Sequence, residues 1–238
     1  SKSGKTDDSS QDATTDSGSV GVAAALALNV SSAIADASID GLVTIDGDVT
    51  LAASNNMDAK AEADGSASVG DGTGVGVAVA INVADMDNLA TLGSGATVNG
   101  AFSAAATMKD VGGDTTHDFA AIATSGASAS DTGVAGSFAL TYVDSDTRAT
   151  LAGTVNAGSD AVSLAATSTS ASDVSATANA EGDTGVGLSF AINITDQLAE
   201  AAVADGATLG GGSDLTLTAT GSHENTTTAK GGGVSNDD

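Results

Sequence analysis

Cysteine, proline and tryptophan are all missing from this 238-residue chain. Without cysteine there is no disulfide, no thiolate metal site and no cysteine nucleophile. Aromatic residues make up 2% of the chain, and the bases number six against 31 acids, for a formal charge of -25. Nucleic acid is an unsuitable partner, because binding it depends on neutralising phosphates with Lys and Arg. No apolar run approaches the roughly 20 residues of a membrane helix, so no membrane span is expected. The sequence opens without Met and without a basic-plus-apolar leader, and the expectation is a processed product or a fragment.

High charge and few aromatics are also marks of disorder. Here, however, 41% of residues are hydrophobic, the mean hydropathy is +0.13, and the apolar residues are ordered along the chain. Only four acids are Glu (Glu62, Glu181, Glu200, Glu224) and the rest are Asp. Glu suits helices, whereas Asp and Gly suit turns, so the composition reads as folded and β-rich.

An internal repeat sets the expected architecture. Four segments align: Gly21–Val30, Gly74–Val83, Gly133–Tyr142 and Gly185–Ile194, with Asn29, Asn82, Thr141 and Asn193 at one shared position. A second shared piece follows each of them, at Gly47–Ala53, Gly100–Ala106, Asp160–Ala166 and Asp214–Ala219. Gly-Asp turns recur at Gly70–Gly74, Asp131–Gly133 and Gly182–Gly185. Within a unit the period is two, which means strand. Val75, Val77, Val79, Ile81 and Val83 share one face, and Gly74, Gly76, Ala78, Ala80 and Asn82 share the other. The bulky face is expected to fill a core. The Gly/Ala face is expected to admit a closely packed layer, either from this chain or from a partner.

A tandem unit of about 50 residues indicates a solenoid or a propeller. A propeller needs four similar strands per blade with aromatic anchors, which one Tyr and four Phe do not supply. The predicted fold is therefore an all-β parallel β-helix, a β-solenoid of about four repeats of roughly 53 residues. A flexible polar segment is expected at 1–17 and a single solenoid domain at 18–238, with units at about 18–70, 71–130, 131–182 and 183–238. The last eight residues stop where a further unit's strand would begin, so the repeat phase reads as open at that end.

The unit from Gly74 through Thr107, and the pieces around Asp46–Ser54 and Gly210–Gly221, resemble repeats of filamentous-haemagglutinin-like, large bacterial adhesin-type β-helix proteins. The resemblance covers nearly the whole chain after about Ser17 and is carried by a pattern of small residues. It implies a right-handed parallel β-helix in an extracellular stalk or filament of a bacterial surface.

Candidate sites are few. Asn29, Asn82 and Asn193 read as an amide ladder hydrogen-bonded from rung to rung. Asp85, Asp87, Asn88, Asp144 and Asp146 follow the long strand at equivalent places and read as Asp-rich corners. Calcium is the one cofactor such corners would admit, the plain alternative being solvated turn acids. Gly210–Leu215 partly resembles a calcium nonapeptide but occurs once, and reads as a turn. His117 and His223 lie in polar stretches at unmatched repeat positions and read as surface residues. No catalytic, cofactor-binding or metal-binding residue is assigned, and no enzyme is expected. Thr216, Thr218 and Thr220, with Thr167 and Thr169, hint at an ice-binding array, but the first two units lack the regular Thr that one requires. The expected function is structural: a segment of an extracellular filament or adhesin stalk that self-associates into a fibre or continues a longer chain. The alternative is an adhesin module that binds a glycan or protein through loops such as Lys109–Thr116.

Overall fold

The computed structural model describes residues 20–235, and within them the fold is an all-β parallel solenoid. The expected segment at 1–17 lies outside the described residues, as do the last three. One sheet stacks four strands of 20 residues each, β1 (Val20–Ile39), β6 (Thr73–Leu92), β10 (Thr132–Leu151) and β13 (Thr184–Val203). A narrow second sheet holds β2 (Val43–Asp46), β7 (Ala96–Asn99), β11 (Thr154–Gly158) and β14 (Thr208–Gly211). A broad return sheet holds β3 (Val49–Asn55), β4 (Ala59–Asp64), β5 (Ala67–Ser68), β8 (Phe102–Met108), β9 (His117–Ser128), β12 (Val162–Gly182) and β15 (Leu215–Ser235).

Each sequence repeat forms one rung. Asn29, Asn82, Thr141 and Asn193 are register partners, and the pairing runs unbroken along all 20 residues of the long strands. At about 4.8 Å between strands and about 3.3 Å per residue, four rungs rise only about 19 Å while each long strand spans about 66 Å. The described domain is a wide, short slab.

The two broad sheets close at different depths. Beside the narrow sheet the core is deep and holds Leu92, Val98, Phe102, Leu151, Val155 and Leu164. Further along it holds Met57, Met86, Phe119 and Val143. Then it thins to Ala25, Ala61, Ala78, Ala80, Ala121, Ala139 and Ala176. At the far edge the backbones nearly touch: a Cβ on Gly76 would overlap the carbonyl oxygen of Gly126, and one on Gly187 would overlap that of Gly232. Only glycine lets the sheets meet there.

This wedge reverses the expected faces. The small residues of the long strands point inward, with Ala78, Ala80 and Ala139 fully buried. The bulky ones point out: Leu26 is 68% exposed, Leu188 62% and Phe190 64%. The layer that approaches the small face is the chain's own return sheet. Interior space decided the matter, since a gap narrow enough for alanine cannot also hold a row of Val, Leu and Phe.

Candidate functional site

The outer face of the long-strand sheet is divided into two halves. In every long strand the first eleven residues, 20–30, 73–83, 132–142 and 184–194, carry no charged side chain. Their outward positions form columns across the rungs: Val22, Val75, Val134 and Val186; Leu26, Val79, Phe138 and Phe190; Leu28, Ile81, Leu140 and Ile192; Val30, Val83, Tyr142 and Ile194. On the inner rungs these side chains are half-covered by their neighbours along the axis, and on the outer rungs they are exposed. The return sheet presents a different surface, with Asp118, Thr124, Thr167, Asp173, Thr177 and Glu181 on its outer side.

Acids occupy the other half of the same face. Ser32, Asp85, Asp144 and Asp196 form one column, Ile34, Asp87, Asp146 and Leu198 the next, and Asp36, Leu89, Arg148 and Glu200 the third. The expected Asp-rich corners are absent here: Asp85 and Asp87 sit within a continuous strand, because Met86 and Asn88, which follow them, keep the inward alternation. Partial burial, then the carboxylates of Asp146, Asp196, Asp85 and Asp87, push the Asp144 carboxyl above its usual range. Asp87 is raised by partial burial and by Asp85 and Asp146, with Arg148 acting against them. Arg148 is the only base on these four strands and binds Asp146 at 2.8 Å and Glu200 at 3.8 Å.

The repeated amides point into the core. Asn29 Nδ2 donates to Asn82 Oδ1 at 3.0 Å, and Asn82 Nδ2 donates to the Ala59 carbonyl at 2.9 Å, joining rung to rung and sheet to sheet. Thr141 interrupts the ladder. Asn193 turns instead to Ser172, whose hydroxyl donates to its Oδ1 at 2.9 Å. A second ladder, which sequence reading missed, lies on the narrow sheet: Asn156 Nδ2 donates to Asn99 Oδ1 at 2.9 Å and Asn99 Nδ2 to Asp46 Oδ1 at 2.6 Å.

His223 is exposed, as expected, but His117 is not, and the two occupy matched positions after all. His117 is fully buried, and both it and His223 pair in register with Ser170, so they occupy one column of the return sheet. The insert at 109–116 shifts the residue count and hides this match from a sequence alignment. Ser170 Oγ donates to Gln197 Oε1 at 2.6 Å, so the nitrogen 3.0 Å away, His223 Nδ1, must be the donor to it. Partial burial lowers the pKa of His223. Burial also pushes His117 down to about 4, against the opposing influence of Asp114.

Beside His117, carboxylate oxygens of Asp58, Asp114 and Asp118 lie within 4.8 Å of one another. The Asp118 amide donates to Asp58 at 3.2 Å, Asn56 Nδ2 donates to the Asp114 carbonyl at 3.2 Å, and the Asp118 carboxyl is raised by burial, Asp58 and Asp114. A shallow cleft lined by Asp58, Lys60, Phe119 and Asp173 opens next to this cluster. The sequence offered one signal for it, the 60-residue step from Met57-Asp58 to His117-Asp118.

Gly210–Asp214 forms the end of β14 and a turn with positive φ at Gly211 and Gly212. Thr216 and Thr218 stand beside Ser163 and Ala165, which in turn stand beside Ser103 and Ala105, so no regular Thr array forms on that surface. No helix is long and apolar enough to cross a membrane among the described residues. Comparison with protein-family models, with curated proteins and with solved structures finds no match for the chain.

Proposed function

We propose that the chain is a structural segment of an extracellular filament or surface adhesin stalk, extended by stacking more of the same rungs. The observation that supports this reading is the 20-residue in-register pairing of four successive long strands. A rung that repeats without a register change is a unit whose addition has no intrinsic stopping point. Among the described strands, β1 and β13 are the edges of the long-strand sheet, and each presents a row of backbone donors and acceptors matched to the other. Contact of one copy's β13 edge with the next copy's β1 edge is heterologous and propagates. The dense surface acid keeps the charged faces of such a filament hydrated.

Electron microscopy with sedimentation of the full chain tests this reading. Rods that lengthen with protein concentration along the solenoid axis are expected. A protein that stays one slab thick along that axis at all concentrations overturns the stacking. The second reading, a module that binds a glycan or protein through Lys109–Thr116, would instead be supported by saturable binding lost on deleting that loop.

A further inference from the structure

We infer that the uncharged half of the long-strand sheet is an interface, and that its occupant is a second copy of this chain packed face to face. This lateral contact is separate from end-on stacking and uses a different surface. Eleven residues at about 3.3 Å and four strands at about 4.8 Å give a flat footprint of roughly 36 by 19 Å, or about 700 Å² per copy. Two copies then remove about 1,400 Å² from water, within the range of about 1,200–2,000 Å² for stable specific interfaces. Monomers rarely expose a contiguous apolar patch above about 300–600 Å². Two such sheets pack about 10 Å apart with strands within about 30° of a common line.

The charge pattern chooses the occupant's orientation. Asp85, Asp87, Asp144, Asp146, Asp196 and Glu200 all lie beyond residue eleven of their strands. A two-fold axis along the strands would set these acids against their own copies. A two-fold axis along the solenoid axis makes the facing strands antiparallel. The apolar halves then overlap while the acidic halves project from opposite sides into water. Val79 of one copy comes to lie over Val77 of the other, and both solenoids rise in the same direction, so the pairing continues along any longer stack.

Sedimentation of the full chain at up to about 100 µM in half-molar salt, with Asp87→Cys spin-labelled, tests the inference, because even a weak interface of standard size forms at micromolar concentration. The chain has no other cysteine. The expected result is a dimer with a label-to-label distance of about 60 Å, from about nine residues on either side of the axis. Val79→Lys and Phe190→Lys, both on the outward face, are expected to abolish the dimer while leaving the far-UV spectrum, and the melting temperature of the chain diluted to monomer, unchanged. End-on rods, if present, would survive both substitutions, so loss of this inference and loss of the stacking reading are told apart. A monomer throughout, a dimer with labels closer than about 25 Å, or uptake of the monomer onto neutral phosphatidylcholine vesicles in place of dimerisation would each overturn it.

Discussion

The backbone amide of Met57 donates to Nδ1 of His117 at 2.9 Å, bonding the first rung to the second beside the insert at 109–116. Because Nδ1 accepts, His117 is neutral with its proton on Nε2. A second proton would have to go onto Nδ1, against the Met57 N–H and inside a buried site.

A pH prediction follows from that geometry. Burial lowers the His117 pKa from 6.5 to about 4, so between those values the unfolded chain binds the proton and the folded one does not. Stability contributed by neutral His117 is complete above pH 6.5 and falls by about 3 kcal/mol as the pH drops toward 4. The raised carboxyls of Asp87, Asp118 and Asp144 act with the opposite sign, favouring the folded state as pH falls through their pKa values. Denaturant titrations of the chain and of His117→Gln should therefore differ in slope across this window, the variant losing less stability toward acid. Parallel profiles would mean that His117 titrates normally.

The inverted faces give a paired mutational test. Phe190→Ala removes an outward ring that is 64% exposed, and should change the stability of the dilute monomer by less than about 1 kcal/mol. Ala80→Leu inserts three carbons where the sheets face each other through alanine, and should cost about 3 kcal/mol or more. The opposite ranking in urea denaturation would mean that the bulky face is the core.

Repulsion along the acidic columns makes Asp144→Asn a stabilising change. Its carboxyl is raised mainly by partial burial and then by four neighbouring acids, so its charge is less favourable in the folded chain than in the unfolded one. Melting temperature should rise in the variant at low salt. The parent should gain more than the variant between low salt and about half-molar monovalent salt, where the screening length shortens to a few ångströms. Equal salt responses would show that the columns do not interact.

The solenoid itself was legible from the 53-residue step between Asn29 and Asn82 and from strict alternation in Gly74–Val83, because both report backbone periodicity. The direction of the faces was not. Alternation says which residues share a side, and hydrophobicity normally says which side is inside. Here Gly76 and Ala80 face a sheet too near to admit Val79, a distance set by residues such as Gly126 on the return strand far along the chain. Strand length was also hidden, since the acids at Asp85 and Asp87 imitate a turn when read alone. The Asp58, Asp114 and Asp118 cluster required folding the insert at 109–116 back beside the first rung.

The interrupted amide ladder offers a gain-of-stability experiment. Asn29 and Asn82 bond across one rung step, whereas Thr141, at the equivalent position of the next rung, is fully buried and its hydroxyl has no partner among the described residues. Thr and Asn have similar volumes, and an amide at this position has both a donor and an acceptor to offer the rungs above and below. Thr141→Asn should therefore connect Asn82 to Asn193 and replace an unsatisfied buried hydroxyl with hydrogen bonds worth about 1 kcal/mol net each. The expected outcome is a stability higher than the parent's by about 1–2 kcal/mol in urea, with an unchanged denaturant slope. Asn82→Ala is the converse control: it leaves the Asn29 amide and the Ala59 carbonyl without their partner and should cost about 2–4 kcal/mol. If Thr141→Asn is neutral or destabilising while Asn82→Ala is costly, the Asn82 bond to the return sheet matters and the ladder between rungs does not.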